Sequence, residues 1–138
     1  MMRYSLAKAL HLTLLIFLIS PWLIMCASFS DRGKLDSFEQ TVKHYRRAML
    51  MSAFEQAKYL STSDAPKDPT KLKNFHVVSY NLKKIKFSND KSKVYQTVEI
   101  KYYRVDSMRQ KIIRDKQEWD YNSESKKWVL ISGLPQFK

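Results

Sequence analysis

The sequence predicts an α+β domain: an N-terminal helix, continuous or kinked into two, packed on a curved four-stranded antiparallel meander. Two patterns carry that expectation. Apolar residues recur at three- and four-residue steps from Phe38 to about Leu60, the period of an amphipathic helix. From Phe75 onward the period changes to two, and three short polar segments interrupt it. Length sets the scale, since 138 residues allow one hydrophobic core and not two.

Composition removes several function classes. With 44% apolar and 13% aromatic residues the chain can bury a core, so it is no disordered tail. Its two glycines, Gly33 and Gly133, cannot build a Gly-rich phosphate loop, which excludes a dinucleotide fingerprint, a P-loop and a nucleophile elbow. A single cysteine excludes a disulfide scaffold and a Cys-based zinc site. Of three histidines, His11 falls in the leader, and His44 and His76 have no Cys or carboxylate at ligand spacing. Neither a metal nor a cofactor is implied, and no Ser-His-Asp arrangement stands out.

The first 26 residues differ from the rest. Arg3 and Lys8 form a short positive segment, and Leu10 to Met25 is almost wholly apolar, broken by His11, Thr13 and Ser20-Pro21. That run is long for a signal-peptide core and short for a membrane span. Cys26 ends it. The expected organisation is a signal peptide over 1–25, a lipidated cysteine and polar tether over 26–35, and a folded domain over 36–138. Leu23-Ile24-Met25-Cys26 resembles a bacterial lipobox, with Met25 where a small residue is usual. The resemblance implies a diacylglyceryl thioether on Cys26, cleavage before it, and, since Ala27 is not Asp, sorting to the outer membrane. An uncleaved membrane anchor and ordinary secretory cleavage near Ser28 remain open. All three readings place the domain in the cell envelope, on the periplasmic side.

Along the mature chain, Asp36-Ser37-Phe38-Glu39 reads as an Asp N-cap with Glu three residues on. The stripe Phe38, Val42, Tyr45, Met49, Ala53 and Ala57, with Phe54 and Leu60 beside it, is the expected core face. The polar face thins at Met51–Ala53, where one helix or two are both allowed. Residues 61–74 hold two prolines and end the helix, with a short extra turn near Pro69–Leu72. Strands follow over 75–88, 93–105, 108–121 and 126–133, separated by turns at Asn89–Ser92, Asp106-Ser107 and Asn122–Ser125.

The turns fix register. A turn centred on Asp106-Ser107 sets Val94 opposite Trp119, Gln96 opposite Gln117, Val98 opposite Asp115 and Ile100 opposite Ile113. On the other face Glu99 meets Arg114 as an ion pair. A turn at 122–125 sets Trp119 opposite Trp128, Gln117 opposite Leu130 and Asp115 opposite Ser132. The first strand needs a bulge near Lys83-Lys84 to keep Phe87, Ile85, Leu82, Tyr80 and Val78 on the same face. The helix must cover the face carrying Val98, Ile100 and the two tryptophans.

Helix followed by long bulged strands resembles the nuclear transport factor 2-like superfamily, a cystatin-like cone, in minimal form. Tyr45-Arg46-Arg47-Ala48-Met49, Val98-Glu99-Ile100-Lys101-Tyr102-Tyr103, Arg114-Asp115-Lys116-Gln117 with Trp119, and Trp128 with Gly133-Leu134-Pro135 resemble segments of small proteobacterial envelope lipoproteins of unknown function. The superfamily spans enzymes, carriers and scaffolds, so the resemblance informs fold more than function. Its ketosteroid-isomerase-like members use a carboxylate inside the cone.

Asp115 is the corresponding candidate here, because the register puts it on the apolar face, where desolvation favours a neutral carboxyl. Tyr45, Gln96, Tyr102, Gln117 and Trp119 would line such a cavity. The competing reading makes Asp115 structural, bonded to Ser132, to backbone N–H groups or to an arginine. Trp119 and Trp128 read as core, and Tyr102-Tyr103 sends one ring inward and one outward.

Charge points elsewhere. The chain has 25 Lys+Arg against 13 Asp+Glu; without Arg3 and Lys8 of residues 1–25, 23 basic residues remain, a net +10. Lys83, Lys84, Lys86, Lys91 and Lys93 cluster around the first hairpin, Arg46 and Arg47 sit on the helix, and Lys126 and Lys127 open the last strand. An exported domain rarely meets nucleic acid, so anionic lipid or an acidic envelope protein is the better-matched partner. The sequence therefore reads as a non-enzymatic envelope lipoprotein, a binding or scaffolding module at a membrane surface. The alternative is a small-ligand carrier or cavity enzyme, isomerase- or dehydratase-like, built around Asp115.

Overall fold

The structure, a computed structural model, describes residues 22–62 and 69–138, with side chains from Asp31 and from Lys71 onward in the two segments. The leader through Pro21 and the side chain of Cys26 lie outside that description. Its elements are α1 (Trp22–Leu50), α2 (Phe54–Lys58), a 3₁₀ turn (Pro69–Leu72), β1 (Phe75–Phe87), β2 (Lys93–Arg104), β3 (Gln110–Asn122) and β4 (Lys127–Leu130). Contacts divide the chain into Met1–Gly33 and Lys34–Lys138, and the second unit holds the whole core described below. Among the described residues no helix is long and apolar enough to cross a membrane.

The expected helix start at Asp36 is not used. Helical backbone runs through 27–35, including Gly33, which was expected to belong to a polar tether. Asp36 is exposed mid-helix, while Ser37 and Thr41 return their hydroxyls to the carbonyls of Lys34 and Ser37, at 2.8 Å each. These residues therefore extend the helix instead of capping it.

The break at Met51–Ala53 is real and has a cause. Ser52 takes φ 54°, Ser52 N–H donates to Met49 C=O at 2.9 Å, and Ala53 N–H donates to Ala48 C=O at 2.9 Å. This is a Schellman termination with serine in the left-handed position where glycine is usual. Ser52 also fastens the helix corner to the start of β1, because its hydroxyl accepts the Val77 N–H at 3.1 Å.

The sheet order is β1-β2-β3-β4, all antiparallel. Pairing of β2 with β3 matches the expected register throughout, Val98 opposite Asp115 included. The turn itself is wider than Asp106-Ser107. Arg104 C=O accepts from both Ser107 and Met108 N–H, and Met108 is left-handed at φ 52°. Widening by one residue on each side leaves the register unchanged.

The last hairpin is shifted by two residues. Trp119 lies opposite Leu130, and Tyr121 lies opposite Trp128. Asn122 Oδ1 accepts the N–H groups of Glu124 and Ser125, and Lys126 is left-handed, so the turn occupies 123–126 and Asn122 stays in the strand. A two-residue slip preserves the faces, which is why both tryptophans are still buried.

β1 has two bulges where one was expected. Register shifts fall between Leu82 and Lys84, as foreseen, and also between Val77 and Ser79. The second turns Val77 inward and leaves Val78, expected in the core, 45% exposed. The bulges and lysines blunt β1 as an open edge. The other edge is covered: Leu130 N–H donates to Leu60 C=O at 2.8 Å and Thr62 N–H to Leu130 C=O at 3.1 Å.

The core is aromatic. Phe38 of α1 meets Phe87, Trp119 and Trp128 edge-on, and Tyr45 meets Trp119 with ring centroids 5.3 Å apart at 87°. Trp128 Nε1 donates to Lys34 C=O at 3.0 Å and to Ser37 Oγ at 3.1 Å, tying β4 to the helix. The tail from Leu134 to Phe137 closes the far end against Phe54, Phe75 and Tyr102.

Candidate functional site

Two arrangements stand out: a polar chain inside the sheet–helix interface and a cationic outer face of the same sheet. Alternation along β2 and β3 creates both, since inward residues meet the helix and outward residues meet solvent.

Inside, Gln117 is the hub. Its Oε1 accepts from Tyr80 Oη at 2.8 Å and from Gln96 Nε2 at 2.6 Å, and its own Nε2 donates to Asp115 Oδ2 at 2.7 Å. Gln96 and Gln117 are buried and Asp115 is half-buried. With the β3–β4 register shifted by two residues, the Ser132 hydroxyl accepts the Glu118 N–H at 3.2 Å. Tyr45 packs beside Tyr80, with ring centroids 6.3 Å apart. Tyr45 Oη and Trp119 Nε1 are buried among the described residues without a hydrogen-bond partner.

The phenols respond to this setting. Burial, then the neighbouring Tyr80 and Asp115, hold the Tyr45 hydroxyl well above the ordinary tyrosine value of 10.0. Burial also raises Tyr80; the Gln117 hydrogen bond opposes it, Asp115 adds to it, and Arg46 opposes it. Both groups keep their protons in the fold after the unfolded chain has lost them. Their contribution to stability is thus complete below the ordinary value and lost as pH rises above it. In an alkaline titration, the late part of the phenolate absorbance should appear together with loss of near-ultraviolet circular dichroism. Complete phenolate formation in a still-folded protein would contradict this burial.

Of the residues expected to line a cavity, Tyr45, Gln96, Asp115, Gln117 and Trp119 come together, joined by Tyr80. Tyr102 packs on Phe75 and Phe137, its hydroxyl bonds the Lys138 backbone, and it meets Asp115 only along a second basin. Tyr103 turns outward and stacks on His76 at 5.4 Å. No group of residues that could hold a metal ion occurs among the described residues.

Outside, the expected lysine cluster is divided. Lys84 lies in a cross-strand row with Thr97 and Lys116, and Lys86 lies in the next row with Tyr95 and Glu118. These residues and Ser132 line a basin of about 350 Å³. Lys101 and Arg114 share the same face by register. Glu99 is paired, but with Lys83 at 3.2 Å and not with Arg114. Lys93 meets Glu118 at 3.8 Å. Lys91 departs from the group: it is left-handed at φ 55°, and its ammonium lies 5.6 Å from the centre of the Phe87 ring, on the helix side of the sheet. Lys116 and Lys101 were not singled out from the sequence, and Arg114 only as a partner for Glu99, although the β2–β3 register already placed all three on this face.

Comparison with known proteins gives no match: no family model, curated protein or solved structure matches the chain.

Proposed function

We infer that this chain is a bacterial envelope lipoprotein whose folded unit is a non-enzymatic binding module for anionic membrane surface, held near the bilayer through Cys26 or an N-terminal anchor. The row Lys84–Thr97–Lys116 carries this reading. It contains no acid, and its two lysines are exposed beside Lys86 on the outer sheet face. Lys84 on β1 and Lys116 on β3 flank Thr97 of β2, two strand spacings or about 10 Å apart, so both charges face the same surface and their fields add there. Each lysine near an anionic surface contributes about 1 kcal/mol. Screening acts over about 8 Å at physiological salt, and an anchor raises the local concentration of headgroups, so weak attraction suffices. The order of elements and the bulged first strand support a nuclear transport factor 2-like cone as scaffold.

The polar chain around Gln117 supports a structural role for the interior, since its amide is used on both sides. One observation favours the small-ligand alternative: Asp115 also borders a basin of about 500 Å³ with Tyr102, Ile113, Ser132 and Leu134.

Every core residue among the described ones lies in the unit Lys34–Lys138, so this unit is tested apart from the leader. It should bind vesicles rich in anionic phospholipid at low salt, release at high salt, and ignore zwitterionic vesicles. Binding that persists at high salt, or no preference for anionic lipid, would remove the reading.

A further inference from the structure

The helix does not cover the inner side of β1 completely. Leu82 and Ile85 point to the core face, opposite buried Val98 and Gln96, yet they are 52% and 40% exposed. With Leu35, Phe38 and Val42 of α1 on the facing wall and Phe87 at one end, they form a groove of about 460 Å³. Its polar lining is sparse: Glu39 on the helix, Gln96 at the floor and Lys91 at the Phe87 end. The Lys34 ammonium approaches the same end, 3.5 Å from the Asp90 carbonyl. An apolar trough of this size with a few placed polar groups is the usual form of a small-molecule site.

We propose that this groove holds the acyl chain of a single-chain anionic amphiphile of the fatty-acid class, with its carboxylate toward Lys91. Charge complementarity selects that occupant. The apolar wall runs along β1 and α1, and the cations stand at one end of it, matching a long apolar body with one negative head. A peptide partner fits less well. The bulge between Leu82 and Lys84 interrupts the ladder beside the groove, so a strand cannot extend the sheet there. The volume is also that of a small molecule and not of a protein interface. The site lies on the opposite side of the sheet from the Lys84–Lys116 row, so it does not depend on the membrane-surface reading.

The test uses the full chain in nanodiscs of phosphatidylcholine containing a diazirine-labelled palmitate. After irradiation, adducts should map to 35–42 and 82–96. Ile85→Glu and Leu82→Glu, both at exposed positions that leave the fold intact by circular dichroism and melting, should lower those adducts about tenfold or more. Lys91→Gln should bring the palmitate signal down to that of its uncharged methyl ester. Changing Lys84, Lys86 and Lys116 to Gln should leave groove labelling unchanged, which separates failure here from failure of the surface-binding reading. Adducts confined to residues 1–33, groove labelling indifferent to Ile85→Glu, equal labelling of parent by acid and ester, or a co-purified peptide found in the groove would each overturn the proposal.

Discussion

Trp119→Ala should cost about 3–5 kcal/mol of stability, a large part of the ~5–15 kcal/mol typical of a small domain. Trp119 is fully buried and stands where four elements meet: Val94 of β2 and Leu130 of β4 are its cross-strand neighbours, and Phe38 and Tyr45 of α1 meet its ring edge-on at 6.1 and 5.3 Å. Truncation opens a cavity that neither helix nor sheet can close without moving the other. Tyr95→Ala, on the outer face at 43% exposure, should change stability by no more than about 0.5 kcal/mol. Urea denaturation followed by circular dichroism measures both. Similar losses for the two variants would mean that the helix does not pack on Trp119.

Gln117→Leu should cost about 2–5 kcal/mol, because it strands the buried hydroxyl of Tyr80 and the amide of Gln96 and removes a donor from Asp115. Leucine fills the space, so the loss is one of hydrogen bonds and not of volume. Tyr45→Phe should go the other way. Its hydroxyl has no partner among the described residues, and removing it should leave stability unchanged or raise it by about 1 kcal/mol. The opposite signs make the pair diagnostic. If Gln117→Leu melts like the parent, the polar chain does not exist as described.

The parts that were legible in the sequence are those set by period and symmetry. The core stripe of the helix needed only three- and four-residue spacing, and the β2–β3 register survived a misjudged turn because widening a loop evenly moves no pair. Misreadings fall where local hydrogen bonds compete. Ser37 and Thr41 satisfy helix carbonyls where a cap was expected, Asn122 holds its own turn and slips β4 by two residues, and the bulge at Val78 carries no glycine or proline to announce it. The hub role of Gln117 was half legible. Register placed it beside Gln96 and Asp115, and the foreseen Lys83-Lys84 bulge put Tyr80 on the same face, but the side-chain bonds that join them leave no mark in the sequence. The cationic face was misplaced for a simpler reason: lysines close in sequence, such as Lys86 and Lys91, part to opposite sides, while Lys84 and Lys116, far apart in sequence, come to share one face.

On the proposed function, the position of charge, and not its total, makes this domain bind a membrane surface. Two variants of the unit Lys34–Lys138 test it: Lys84→Glu, Lys86→Glu and Lys116→Glu on the outer sheet face, and Lys43→Glu, Arg46→Glu and Arg47→Glu on the exposed side of α1. Both change net charge equally. Co-sedimentation with anionic vesicles at physiological salt should be abolished in the first variant and nearly retained in the second. Equal loss in both, or retention in the first, would contradict the account.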